Sequence, residues 1–453
     1  MAFQGVVTTG IYCRAGCPGV PKQENVRPFT FPAAAEAAGF RPCLRCRPDT
    51  VAGPSSWLAP SELVCRALRL VADGALDGAN EADLAQRLGV SERHLRRLFE
   101  THVGATPDGV ARSRRVHFAR RLLIETDLPI AQIAFAAGFG SVRQFNRAVT
   151  EVFRFTPTEL RTRRRRGDRL VAPAGVELRL PYKPPLDWDA MTRFLAPRAI
   201  PGVEVVDGAS YRRTVEVDGG VGTIEVRNAP GHLLLRVDVP HVGGLIHVVD
   251  HARRVFDLDA DPAVIGRALR RDAALKPLVQ ARPGLRVPGA WDPFELGVRA
   301  ILGQQVSVRS ATTFAGRLVA ALGAPLPSGD ERVFPSAAVV ADADLRGIGL
   351  TGERAATVRG FAAAVADGKI VLDASQSLDR VVEELCELRG VGPWTAHYIA
   401  MRACGERDAF PSADLGLRRA LGLSSARQLE ERAARWRPWR AYAAMHLWAA
   451  PPA

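Results

Sequence analysis

Residues 384–420 read ELCELRGVGPWTAHYIAMRACGERDAFPSADLGLRRA. The stretch divides into a helix end, a tight turn, a second helix, a loop and one carboxylate. Leu385 and Leu388 close an apolar helix, and Arg389-Gly390-Val391-Gly392 forms the turn. Pro393 fits the first position of the next helix, where its missing N–H is no loss. Trp394, Tyr398 and Met401 then recur at helical spacing. Gly390 and Gly392 carry no Cβ, so backbone N–H groups there can come close to a bound anion. Two short helices around such a turn can hold one nucleic-acid phosphate and so position a duplex. Asp414 stands twenty residues beyond Trp394, just ahead of an amphipathic helix with Leu415, Leu417 and Leu421.

Leu388 to Ala396 spells L-x-G-V-G-x-W-T-A, and Phe410 to Asp414 spells F-P-x-x-D. Together they resemble the helix-hairpin-helix DNA glycosylases, and among them the AlkA-type 3-methyladenine branch. The resemblance implies that Asp414 is catalytic, that Gly390 and Gly392 contact DNA, and that Trp394, Tyr398 and Trp448 line a base pocket. Bifunctional glycosylase/lyases carry a lysine where this chain has Trp394. The resemblance therefore implies a monofunctional enzyme in which water attacks. Upstream, GVRAILGQQVSV at 297–308 resembles the same branch. It implies that Gln304 sits at the lesion and that Gln305 fills the gap left by an extruded base. The family often has an apolar wedge at that second position.

The chain has 453 residues, enough for about three domains at roughly 150 residues each. A hydrophobic content of 47% is ample for packed cores. No run of roughly 18 apolar residues indicates a membrane span, and no charged-then-apolar leader opens the chain, so a cytoplasmic, nucleoid-associated protein is expected. A net charge of +13, carried mostly by arginine, favours a polyanionic partner.

Four of the seven cysteines lie within the first 46 residues, as Cys13-x3-Cys17 and Cys43-x2-Cys46. In a reducing compartment such a group points to metal, and four thiolates suit one tetrahedral Zn2+. So small a segment has little core, and bound metal becomes part of its folding energy. TTGIYC, the Glu24-Asn25-Val26 step and GFRPCLRC resemble the N-terminal domain of the Ada alkylation-response proteins. The resemblance implies one zinc ion on Cys13, Cys17, Cys43 and Cys46, with Cys13 accepting a methyl group from a DNA methylphosphotriester. Only twelve residues precede Cys13, fewer than the family carries, which leaves a misassigned start and a shortened domain as two readings. No Pro-Cys-His-Arg motif occurs, so an O6-methylguanine methyltransferase activity is not expected.

Two similar helical patterns follow. Asn80 to Ser91 gives a capped helix, a glycine turn and a serine that can cap the next helix, which carries Arg93, His94, Arg96 and Arg97. Ile130 to Ser141 repeats the plan ahead of Arg143, Gln144, Asn146 and Arg147. These side-chain types reach base edges and phosphates. The doubled unit, with its trailing FRFTPTELR, resembles the AraC-type DNA-binding domain. Arg161 to Arg166 contains five arginines, readable as a DNA-contacting tail or as a solvated linker. Alternation at 177–180, 211–217, 222–226 and 232–237, with a helix from Asp187 to Ala196, indicates a small α/β sheet region.

The expected architecture is multidomain. A small zinc-bound α+β domain spans 1–53, and an all-α double helix-turn-helix domain spans 57–166. A small α/β sheet domain spans 174–249, and an all-α helix-hairpin-helix glycosylase domain spans 250–450. The expected function joins excision of alkylated purines with methyl transfer to Cys13 that switches on transcription. Expected partners are double-stranded, alkylated and promoter DNA, with RNA polymerase as a further candidate and no membrane. Zinc is the expected cofactor, with no organic cofactor. The competing readings are a binding-only activator with a degenerate glycosylase part, and a repair enzyme that uses the helix-turn-helix units only for affinity.

Overall fold

The strand Phe3–Val6 (β1) alternates buried and exposed residues, the pattern of a half-covered sheet. It pairs antiparallel with Ile11–Arg14 (β2) and with Val26–Phe29 (β3). Arg41–Pro42 (β4) pairs parallel with β2, giving the order β3-β1-β2-β4. The parallel pairing aligns Tyr12 with Pro42 and so brings Cys13 beside Cys43. In the computed structural model the described residues are 3–19, 21–48, 61–171, 174–217, 219–327 and 329–450. The segment read as a linker, Gly53-Pro54-Ser55-Ser56, lies outside them.

The chain forms two compact units. The first comprises Met1–Tyr182, Val217–Gly220 and His232–Asp250; the second comprises Lys183–Glu216, Val221–Gly231 and His251–Ala453. Beyond the small sheet, the first unit is built on the 19-residue helix Pro107–Glu125. Before it come helices Glu81–Arg87 and Glu92–His102, after it Ile130–Ala136 and Val142–Phe153. Each pair turns at a glycine in the left-handed region, Gly89 at φ 71° and Gly138 at φ 79°. Each second helix is capped by a serine: Ser91 Oγ accepts from the His94 amide and Ser141 Oγ from the Gln144 amide. Strand Val176–Pro181 pairs antiparallel with His232–Asp238.

In the second unit, Glu204–Val206, Ser210–Val217 and Gly220–Ala229 lie side by side in that order. The three-residue strand was not expected, because so short a segment shows no alternation. The helix Trp188–Leu195 appears where it was read, capped by Asp187. Helices from Pro262–Leu269 to Arg440–Trp448 form the rest. Two of them cross closely at Gly297, where a Cβ would lie 2.2 Å from Phe361 Cζ. Phe294 and Phe361 stack there at 5.7 Å between ring centroids.

A buried ion network fastens this sheet to helix Pro293–Leu302. Arg213 Nη2 meets Glu295 Oε2 at 2.7 Å, and Arg299 Nη1 lies 2.9 Å from both Glu204 and Glu295. Removing one partner of such a pair is strongly destabilising, since it leaves a buried charge uncompensated. The network fixes the helix that runs into Gly303-Gln304-Gln305, on the rim of the cleft described next.

Candidate functional sites

The helix Leu378–Cys386 ends, Gly390 turns at φ 88°, and helix Pro393–Arg402 begins with its proline in the first turn. Trp394, Tyr398 and Arg402 then follow at four-residue spacing on one face. Trp394 and Tyr398 stack at 5.2 Å with 9° between their planes. The Arg402 guanidinium lies 5.5 Å from the Tyr398 ring centroid and donates to the phenol oxygen at 2.7 Å. Burial pushes the Tyr398 phenol up, but Arg402 and Arg198 outweigh it and hold the group below its usual range.

Asp414 is the N-cap of helix Leu415–Ala420. Its Oδ1 accepts from the Leu417 amide at 2.9 Å and from Trp448 Nε1 at 3.1 Å. Its Oδ2 accepts from Trp394 Nε1 at 2.9 Å. One carboxylate is thus held by two indoles and a backbone amide, all neutral donors. It faces a cleft of about 1240 Å³ that Tyr398, Trp448, Gln304 and Gln305 also line. Such a volume exceeds what one purine requires, and drug-sized ligand pockets run from roughly 300 to 1,000 Å³. All of the residues expected around the base pocket therefore come together.

Among the cleft residues that escaped the sequence reading are Phe194, Arg198 and Arg402. Phe194 and Arg198 come from a segment some two hundred residues before Asp414, so no local spacing could join them to it. Arg402 does follow Tyr398 at helical spacing, and that signal was available.

In the first unit, the sulfurs of Cys13, Cys17, Cys43 and Cys46 all lie within 4.8 Å of one another. Burial and the neighbouring Cys43 and Cys46 sulfurs push the Cys13 thiol up, and Cys46 is pushed up to about 12, chiefly by burial. Four sulfurs gathered this closely form a donor set that a divalent cation can hold together, and the set fits tetrahedral zinc. The quartet is a four-cysteine zinc site. Cys13, Cys17 and Cys43 are each half-buried, so exposure does not single out one of them.

Two neighbours of the zinc ligands reach the helix-turn-helix region. Tyr12 donates to Glu36 at 2.8 Å and lies 3.0 Å from His117 Nε2, on the 19-residue helix. Arg47 forms a two-point ion pair with Asp168 at 2.6 and 2.5 Å. The arginine-rich tail is largely used inside the chain. Arg161 donates to the Leu128 carbonyl, Arg164 to Asp127, and Arg165 to the carbonyls of Leu44 and Arg45.

Of the expected DNA-contacting residues, Arg93, Arg97, Arg143, Gln144, Asn146 and Arg147 are exposed on the second helices of their pairs. Arg96 is also exposed but is held by Glu81 at 2.7 Å and Glu92 at 3.1 Å.

The fold and sites define a protein that joins a zinc–thiolate module and paired helix-turn-helix units to a DNA-glycosylase-like helical unit. Family comparison agrees segment by segment. The metal binding domain of Ada matches residues 1–49, a helix-turn-helix domain matches 84–163, and the AlkA N-terminal domain matches 177–292. The "Probable bifunctional transcriptional activator/DNA repair enzyme AlkA" of Mycobacterium tuberculosis is 44% identical over 453 residues, covering 98% of this chain and 91% of that one. The chain belongs to this family. "DNA-3-methyladenine glycosylase 2" of Escherichia coli K12 is 33% identical over 277 residues, covering 59% of this chain and 95% of that one. A 3-methyladenine DNA-glycosylase from Archaeoglobus fulgidus shares the fold, with a TM-score of 0.51 at 21% identity over 60% of this chain and 96% of its own. DNA is the partner that this domain set binds. No helix among the described residues is long and apolar enough to cross a membrane.

Proposed function

We propose that the chain repairs alkylated DNA and regulates that repair, with two separate chemistries in one polypeptide. In the second unit it is a monofunctional N-glycosylase for alkylated purines of the 3-methyladenine class. The observation that carries this is Asp414, held by two indole N–H groups at the mouth of an aromatic cleft. The target nucleotide is extruded, because its glycosidic carbon is unreachable in the stack. An alkylated purine is cationic and leaves readily, so little acid catalysis is needed. Trp394 and Trp448 offer it aromatic faces, each worth roughly 0.5–2 kcal/mol toward a cation. Tyr398 backs Trp394. As the C1′–N bond breaks, its electron pair goes to the base and positive charge builds on the sugar. Asp414 stabilises that charge and orients the attacking water. The water oxygen bonds to C1′ and its proton leaves to the carboxylate or to solvent. Gln304 sits at the lesion, Gln305 fills the gap in the duplex, and Gly390 and Gly392 act at a DNA phosphate.

In the first unit Cys13 is the methyl acceptor. Its sulfur attacks the methyl carbon of a methylphosphotriester, the carbon–oxygen bond breaks, and the phosphodiester leaves with the electron pair. Zinc supplies the positive charge that keeps the four sulfurs as thiolates. The product thioether is stable, so the step is stoichiometric. Losing one negative charge beside DNA strengthens binding through Arg93, Arg96, Arg97, Arg143, Gln144, Asn146 and Arg147, and promoter DNA is thereby engaged. RNA polymerase is the partner that this activation addresses, and the protein works in the cytoplasm on the nucleoid. The working divisions are 1–53, 57–166, 174–249 and 250–450.

The test is to incubate the full chain with alkylated duplex DNA in the presence of borohydride. Free purine, abasic sites and no trapped adduct are expected. A trapped adduct overturns the monofunctional reading, and absence of released base overturns the glycosylase reading.

A further inference from the structure

The rim of the cleft carries one residue under backbone strain. Gln305 adopts φ 54°, in the left-handed region that non-glycine residues avoid. It is exposed and follows directly on Gln304 at the end of helix Pro293–Leu302. Strain of this kind persists only where surrounding groups over-determine the conformation, and it concentrates at functional sites.

Three hydrogen bonds do this here. Arg354 Nη2 donates to the Gln304 carbonyl, the peptide oxygen directly before Gln305, at 2.7 Å. The Gln304 side chain donates from Nε2 to the Gly390 carbonyl at 2.9 Å and to Thr395 Oγ1 at 3.0 Å. Both donor directions of that amide are therefore spent on the turn at 389–392 and its following helix. The Gln304 amide nitrogen thereby links the two turns. Arg354 sits in the first turn of helix Gly352–Ala366, whose N-cap Thr351 accepts from the Arg354 amide. The same helix presses on the other turn, where a Cβ on Gly390 would lie 2.3 Å from Thr357 Oγ1. One helix thus fixes both the turn that carries Gln305 and the turn proposed to hold a DNA phosphate.

We propose that Arg354 is a positioning residue: with Gln304 as strut, it locks Gln305 in the strained conformation that projects its side chain into the duplex and keeps the lesion extruded. The inference rests on the glycosylase reading above. On this view Gln304 contributes to excision through Gln305, by holding the turn. Residue 305 has no need to be apolar if its backbone is fixed in place before the duplex arrives, since a preset projection avoids the ordering that a mobile side chain would undergo on binding.

The experiment compares the full chain with its Arg354→Ala and Arg354→Lys variants. Single-turnover release of 3-methyladenine is measured from a fully paired duplex and from the same lesion in an unpaired bulge. A neighbouring 2-aminopurine reports extrusion in the duplex. Arg354→Ala is expected to slow release from the duplex tenfold or more and to reduce the fluorescence rise, while release from the bulge changes less than threefold. Arg354→Lys, which keeps one donor, recovers part of the loss. Gln305→Asn in the Arg354→Ala background also recovers part, because asparagine enters the left-handed region more readily. An equal loss on both substrates, or an unchanged duplex rate, overturns the positioning role. Absence of release by the parent chain on both substrates overturns the glycosylase reading beneath it, so the two failures are distinguishable.

Discussion

Asp414→Asn separates the charge of this side chain from its shape. The carboxylate accepts three bonds, two at Oδ1 and one at Oδ2. Asparagine has one acceptor oxygen. Placed at Oδ1, it keeps the helix cap and the Trp448 bond, and turns its NH2 toward Trp394 Nε1, donor against donor. Placed the other way, it opposes two donors, so the first arrangement wins. The structural penalty is then one lost charge-assisted bond and one unpaired indole N–H, about 1–3 kcal/mol. The chemical penalty is larger. A unit negative charge about 4 Å from a developing positive charge contributes about 4 kcal/mol at an effective dielectric constant near 20. At about 1.4 kcal/mol per factor of ten, release of 3-methyladenine should slow by roughly 10³-fold. Single-turnover base release at saturating protein measures this. Anisotropy with a duplex carrying an abasic analogue, and a thermal melt, show that binding and folding survive. A variant with folding intact and release within tenfold of the parent would refute the charge-stabilisation argument.

Other sites give further expectations. Gly297→Ala places a Cβ 2.2 Å from Phe361 Cζ, a ring that is fully buried and cannot withdraw; urea unfolding should show about 1–3 kcal/mol of destabilisation from overpacking. Gly392→Ala meets nothing within 4 Å and should leave the unfolding curve unchanged. His446 is buried, and burial with nearby Arg282 pushes it down to about 4. The unfolded chain binds this proton near pH 6.5 and the folded chain does not, so stability is present above that pH and is lost as pH falls toward 4, by about 3 kcal/mol. His446→Gln should flatten unfolding free energy against pH across that window. Cys13→Ala, or prior zinc removal with a chelator, should abolish methyl uptake from methylphosphotriester DNA, read by mass spectrometry, while base release continues.

What the sequence disclosed depended on distance along the chain. The cysteine quartet was legible because its two pairs have ligand spacing locally, and the short β4 strand that aligns them was not, since two residues carry no period. The hairpin was legible from Gly390, Gly392 and Pro393, whose backbone requirements are intrinsic. Asp414 was read as standing ahead of a helix, and the structure makes it the cap of that helix. Arg96 was named for its residue type and its helix; that Glu81 also engages it, fifteen residues away on another helix, was not legible. Arg354 carried no signal, because its function as a donor to the Gln304 carbonyl exists only after two distant helices meet.

One reaction mixture tests the central claim, that a single chain performs both chemistries at separate sites. Purified full-length protein is incubated with DNA treated with a methylating agent. Released bases are resolved by chromatography, and protein methylation is mapped by peptide mass spectrometry. The account predicts free 3-methyladenine released over many turnovers, together with at most one methyl per chain, on Cys13. Methyl groups on another residue, or no free base from a protein that melts cooperatively, would contradict it.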